Sequence, residues 1–254
     1  MKISLHRFHQ ALAAHALLYA QTVKSINAYA DIEVEAGEGT ALVYSGKFSP
    51  IHGAFGFGVD GELDTTTLQH IEDFFLPTER TSRIYLPMEA ATSTDFLLNH
   101  GYSLEKIPVL QWERKLQTQA YTHEVKELSY SDLNSWAQVC SSCYTGSREA
   151  DLVRTILSHI PQSKFFFSFE ETKPVAAASY FFTQGFCFLQ GAATHKDFRN
   201  KTHYKQLSQK RLESLAAQGA DTIFIHPILG TGDKNSLLKI GFQEMSTLLC
   251  FEKK

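Results

Sequence analysis

The chain has no apolar run long enough to span a membrane, which needs about 20 consecutive apolar residues, although 43% of its 254 residues are hydrophobic. It has only four cysteines: Cys140, Cys143, Cys187 and Cys250. That is too few for a disulfide framework in a chain this long, so a reducing cytoplasm is the expected compartment. Cys140 and Cys143 form one C-x-x-C, and a zinc site would need a second ligand pair at suitable spacing. None is found, so no metal is expected. The sequence also lacks a basic excess. Its net charge of −3 argues against a general affinity for nucleic acid, which rests on neutralising phosphates. The start, MKISLHRFHQALAAHALLYAQ, has His6, Arg7, His9 and His15 scattered through it. It is read as an amphipathic helix rather than a signal peptide with a continuous apolar centre.

What is present is a repeat. SRIYLPMEAATSTDFLLNHGY (82–102) aligns without a gap on TIFIHPILGTGDKNSLLKIGF (222–242). Pro87 meets Pro227, Leu97 and Leu98 meet Leu237 and Leu238, and Gly101 meets Gly241, an offset of 140 residues. The tails WERK (112–115) and FEKK (251–254) continue the match after one deletion. Two copies of one α/β unit are expected, 1–118 and 119–254, with the junction near 117–124.

Hydrophobic periodicity gives the coarse order of each copy. The first has a long N-terminal helix, strands near 40–46 and 51–59, helix 64–75, strand 82–88, helix 93–100 and strand 103–115. The second has a strand at 123–129, helices at 132–143 and 148–160, and three meander strands ending in 185–194. Helix 201–218, strand 222–228, helix 232–240 and strand 242–252 follow.

Within the second copy, ATHKDFRNKTHYKQL (193–207) joins a strand to a helix. Six basic residues lie from 195 to 211: Lys196, Arg199, Lys201, Lys205, Lys210 and Arg211. A helix start offers unpaired N–H groups and partial positive charge, so this junction is a place to hold a phosphate. The competing reading is a solvated basic helix face. The first copy has Asp60, Glu62 and Asp64 at the same junction, and no Lys or Arg from Phe48 to Glu79. Those carboxylates suit the helix dipole and would repel a phosphate. If one copy binds an anion, it is the second.

The order FLQGAAT, DFRNKTHY, helix, TIFIHP and NSLLKIGF resembles the Gcn5-related N-acetyltransferase fold. FSPIHGAFGFGVDGELDTTTL and FLLNHGY look like the degenerate front half of bacterial tandem members. The resemblance implies an α/β fold of two tandem domains, each a mixed, mostly antiparallel sheet flanked by helices. It implies acetyl-CoA as cosubstrate, its pyrophosphate cradled by Arg/Gln-x-x-Gly-x-Gly/Ala. Arg199 matches the hallmark arginine, but the glycine positions are Thr202 and Tyr204. The implied cofactor segment is Ala193, Thr194, Arg199, Asn200, Lys201, Thr202, His203 and Tyr204.

The family's usual proton donor, a tyrosine four residues before the final glycine, is replaced by Leu237. Three residues are candidates for its work. Tyr144 as acid and Glu149 as base lie in CYTGSREA, the loop that lines the acceptor pocket in this fold. Against them stands helix capping and solvation. His226, where the first copy has Leu86, is a candidate base at a strand end. Against it stands a histidine without a role. The implied function is an N-acetyltransferase acting on a small-molecule or peptide amine, with no nucleic-acid or membrane partner. The repeat would let a monomer build an internal pseudo-dimer. The alternatives are a non-catalytic binding or regulatory protein, with or without CoA, and a purely structural interaction module.

Overall fold

The amphipathic start forms α1, Leu5–Ile26. One stripe, including Phe8, Leu12, Ala16, Tyr19 and Val23, is buried and packs on the strands Ala41–Tyr44 and Gly53–Phe55. The computed structural model describes residues 5–27, 30–46, 49–78, 80–112, 121–129, 132–143, 155–183, 186–220, 222–229 and 234–253. Among them, no helix is long and apolar enough to cross a membrane.

Packing divides the chain into two units. The first holds Met1–Val109 together with Glu244–Lys254, and the second holds Leu110–Gln243. This partition differs from the two sequence copies, because the last strand of the second copy packs in the first unit. Residues 113–120, around the expected junction, lie outside the described residues.

In the first unit, β1 (Glu33–Ala36), β2 (Ala41–Tyr44) and β3 (Gly53–Phe55) form an antiparallel meander. Helix α2 (Thr65–Phe75) then crosses to β4 (Arg83–Pro87), which runs parallel to β3. Helix α3 (Ala91–Asn99) and β5 (Tyr102–Trp112) follow. The partner of β4 on its other side is β11 (Phe242–Lys253), antiparallel, with Leu249 opposite Leu86 and Phe251 opposite Ile84. The core gathers Leu42, Ala54, Ile71, Phe75, Ile84, Leu86, Leu97, Leu249 and Phe251. Each such Leu, Ile or Phe side chain contributes about 1.5–3 kcal/mol on burial.

The second unit repeats this order of pairing. β6 (Val125–Glu127) edges an antiparallel meander of β7 (Ser163–Glu170), β8 (Lys173–Thr183) and β9 (Phe186–Thr194). Helices α4 (Leu133–Ser142) and α5, described at 155–159, precede β7. Helix α6 (His203–Ala217) crosses to β10 (Thr222–Ile225), parallel to β9, and α7 (Lys234–Lys239) leads to β11. The end of β5 lies beside β10, Gln111 opposite Phe224. Alternation along β8 turns Ala176, Ala178 and Tyr180 toward Leu207, Leu212 and Leu215 of α6. The 3.6-residue spacing that predicts α6 is thus its buried stripe. Trp136 of α4 donates its indole N–H to the Ala178 carbonyl at 3.1 Å and packs on Phe165.

Most expected elements are present with trimmed ends. Strand 51–59 shortens to β3 because Gly56 and Gly58 turn the chain with positive φ. Strand 222–228 stops at Ile225, two residues before Pro227, which has no N–H for a ladder. Cys140 and Cys143 are buried thiols at the end of α4. Strand β1 has no counterpart among the expected elements.

Candidate functional site

Three features of the second unit meet where β9 ends. First, β10 stops opposite Leu189, while β9 runs on to Thr194. The last main-chain link is His226 N–H to the Leu189 carbonyl, at 3.0 Å. From Gln190 onward the strand has an edge that β10 does not pair. Second, β9 bulges in this stretch, since Ala177 pairs Ala193 but Ser179 pairs Gln190. Gly191 sits in the bulge with φ +56°, and a Cβ there would meet the Trp136 ring at 2.7 Å. Only glycine fits both the conformation and the contact.

Third, the chain turns through a short 3₁₀ segment, Lys196–Phe198, into α6. Asn200 and Thr202 both hold left-handed conformations, φ 66° and 60°. Thr202 is the N-cap of α6, yet its side chain makes no capping hydrogen bond. Its Oγ1 instead lies 3.3 Å from Thr122 Oγ1. The first-turn N–H groups of a helix have no intrahelical carbonyl; here His203 N–H turns back to the Lys201 carbonyl at 2.8 Å, and the cap side chain takes none of the first-turn N–H groups. Lys196, Lys201 and Lys205 are exposed around this start, and Lys201 Nζ sits over the Phe198 ring. Helix α2 is the contrast. Its N-cap Asp64 accepts a 2.7 Å hydrogen bond from the Thr67 N–H. That bond, at the helix start, holds the carboxyl below its usual range. Asp60 pairs with His6.

The remaining members of the expected segment divide between surface and interior. Arg199 is exposed but turned back, donating from Nε to the Thr194 carbonyl at 3.2 Å and from Nη2 to the Cys143 carbonyl at 2.9 Å. It therefore ties the turn to the end of α4. Ala193 is buried and Tyr204 half-buried against the α6 core. His203 is 1% exposed, with Nδ1 2.9 Å from Ser168 Oγ. Burial, then the neighbouring His123, lowers its pKa. His195 Nδ1 accepts from the Asp197 N–H at 3.4 Å. Arg211, counted with the basic residues in the sequence, does not belong to the basic surface. It is fully buried and donates to the Ser179 carbonyl and Ser208 Oγ. Arg211, four residues after Leu207 and four before Leu215, lies on the buried stripe of α6, which charge counting does not see.

Of the expected catalytic residues, Tyr144 and Glu149 lie outside the described residues. His226 directly follows β10, where the strands part. It is 1% exposed, and its Nδ1 accepts from the Leu229 N–H at 3.2 Å. A neutral ring that accepts at Nδ1 carries its proton on Nε2, so in this tautomer it donates there and is not a base. Leu237 is buried in the core.

No protein-family model and no curated protein matches the sequence. Solved structures do match. A GCN5-related N-acetyltransferase from Kribbella flavida superposes with a TM-score of 0.63 at 14% identity, covering 95% of each chain. One from Sphaerobacter thermophilus gives 0.53 at 12% identity, over 79% of this chain and 71% of that one. A GNAT-family acetyltransferase from Colwellia psychrerythraea gives 0.51 at 14%, over 76% and 75%.

The chain has the GCN5-related N-acetyltransferase fold. The match over 95% of both chains extends to a protein of similar length, so the likeness is not confined to one unit. Within this acetyltransferase fold the glycine-free turn keeps a left-handed residue at the first glycine position, Thr202. At the second, Tyr204 is an ordinary helical residue of α6. The sequence search for site residues passed over His123, on the segment before β6. Its ring stacks on His203 with centroids 3.9 Å apart, and its backbone N–H donates to Gln206 Oε1 at 3.0 Å. No spacing motif links residues 123, 170 and 203, so only the fold brings them together.

Proposed function

We propose that the second unit binds acetyl-CoA at the β9–α6 turn and transfers the acetyl group to an amine. The carrying observation is the start of α6, left without a side-chain cap, with Thr202 held at φ 60° and lysines around it. The first-turn N–H groups and Lys196, Lys201 and Lys205 would hold the pyrophosphate. Arg199 would keep the turn in place. The unpaired edge of β9 suits an extended amide chain, and a bulge leaves a main-chain group out of the ladder. Such a group can serve an acyl oxygen as a fixed dipole. The protonated Nε2 of His226 is a candidate donor near that edge. Tyr144 and Glu149 remain the candidate acid and base from the α4–α5 loop, and the acceptor is a small-molecule or peptide amine.

Burial of Leu237, at the usual tyrosine position, favours a second reading, a CoA-binding protein without catalysis. Two measurements separate the readings. Calorimetry with acetyl-CoA should show one site per chain, because Asp64 already caps α2. Lys201→Glu with Lys205→Glu should weaken binding by about tenfold or more, since a hydrogen bond to a charged group contributes about 1.5–3 kcal/mol. Absence of binding at millimolar acetyl-CoA defeats both readings, and two sites per chain defeats the asymmetry. Thiol release with polyamines, amino acids and peptide N-termini then tests transfer. Binding without thiol release on any acceptor favours the non-catalytic reading.

A further inference from the structure

His123, Glu170 and His203 come from three places: the segment before β6, the last residue of β7 and the first residue of α6. Glu170 Oε2 lies 3.4 Å from His123 Nδ1 and 3.3 Å from His203 Nε2. All three atoms lie within 4.8 Å of one another. The far nitrogen of each ring is already engaged. His123 Nε2 is 3.1 Å from the Lys201 carbonyl, and His203 Nδ1 is 2.9 Å from Ser168 Oγ. A carbonyl only accepts, so His123 Nε2 must donate to it. The neutral ring then turns its Nδ1 lone pair toward Glu170. His203 is 1% exposed, and its Nε2 and Glu170 Oε2 have no hydrogen-bond partner among the described residues.

The Nδ1 lone pair of His123 and the Glu170 carboxylate, brought together in this way, repel unless a cation stands between them, and the Ser168 hydroxyl can accept from His203 Nδ1, a tautomer that turns the Nε2 lone pair to the same point. Zinc bonds of about 2.0–2.2 Å in a tetrahedron place ligand atoms about 3.3–3.6 Å apart, the spacing of Glu170 Oε2 from each histidine nitrogen. A ring N–H anchored on a backbone carbonyl, as at His123, is also a usual support behind a metal-bound histidine. We propose that His123 Nδ1, Glu170 Oε2 and His203 Nε2 form a site for a divalent cation of the zinc class, with a fourth position for water. This departs from the expectation of no metal drawn from the C-x-x-C pair, which takes no part. It shares the start of α6 with the acetyl-CoA reading, since His203 is the first residue of that helix, but it uses the ring nitrogen that faces Glu170 and its test contains no CoA.

The test uses the full chain, stripped with a chelator and titrated with Zn²⁺ alone by calorimetry. One saturable site per chain is expected, with a rise in melting temperature by mass action. Glu170→Gln and His123→Ala should each weaken binding by about tenfold or more, and Ser168→Ala by about 10–100-fold through the lost contact with His203 Nδ1. Glu170→Gln keeps size and shape, and its melt in chelator checks that the fold survives. Co²⁺ in place of zinc should give the visible d–d bands of a nitrogen and oxygen site. No saturable Zn²⁺ binding overturns the proposal, as does binding unchanged in both ligand variants. Sulfur-to-cobalt charge transfer also overturns it, because it assigns the metal to cysteine.

Discussion

Thr202 holds a backbone conformation that its side chain opposes. A non-glycine residue in the left-handed region costs about 1–2 kcal/mol, and a β-branched one is a clear outlier there. The turn persists because its neighbours fix it. Arg199 binds two carbonyls, His123 Nε2 donates to the Lys201 carbonyl, and Gln206 Nε2 reaches Thr122 Oγ1 at 2.7 Å. Thr202→Gly should relieve the strain, less about 0.4–1 kcal/mol for the freer unfolded chain. The net expectation is a gain between zero and about 1.5 kcal/mol, read from urea denaturation at neutral pH. A loss beyond about 1 kcal/mol would mean that Thr202 is not left-handed in solution. The hallmark glycine at this position is therefore a conformational preference, and the turn survives its absence.

At the scale of elements, α1 docks through a face that includes a histidine the interior keeps neutral. His9 is 1% exposed, and burial, with His6 nearby, pushes its pKa down to about 4 from 6.5. His52, just before β3, is pushed down to about 3 by burial and by Arg80 and Arg83. Both lie in the first unit. Between pH 6.5 and about 4 the unfolded ring of His9 takes a proton that the folded one refuses. Stability is thus full above 6.5 and falls as pH drops through that window. Denaturation midpoints at pH 7 and 5 should show the loss, and His9→Leu should shrink it. An unchanged pH slope in that variant would show that His9 does not titrate on unfolding. Sequence legibility also sorts by element. The stripe of α6 and the apolar runs of β7, β8 and β9 were legible because burial there is periodic or continuous. β1 was not, because EVEA is exposed at every position. The basic surface of the turn was legible as charge, and the Asp64 cap as a carboxylate before a helix. The redirected Arg199, the buried Arg211 and the meeting of His123, Glu170 and His203 depend on tertiary placement, which carries no local signal.

At the scale of the whole chain, the two sequence copies and the two packed units are different partitions, and this predicts how the protein can be cut. A chain of residues 1–118 keeps α1 to β5 but lacks β11. It then loses Leu249 and Phe251 from the first core, together with the strand that pairs β4. Removing one buried Phe costs about 3–5 kcal/mol, and one buried Leu about 2–5. Together these approach the whole stability of a domain, about 5–15 kcal/mol. Residues 119–254 face the reverse defect. They keep β10 but lose Leu110 from the second core and the strand opposite Phe224. They also carry β11, whose buried Leu248, Leu249, Cys250 and Phe251 would have no first-unit core to enter. Neither fragment should unfold cooperatively by itself, and each should expose apolar surface that binds a hydrophobic dye. Phe251→Ala in the full chain gives the finer reading. It should lower amide protection in β4 of the first unit, although residue 251 belongs to the second sequence copy. Hydrogen exchange resolved by segment measures this. A cooperative melt from either fragment alone, or protection lost in β8 and β9 with β4 unchanged, would restore the copies of 1–118 and 119–254 as the folding units.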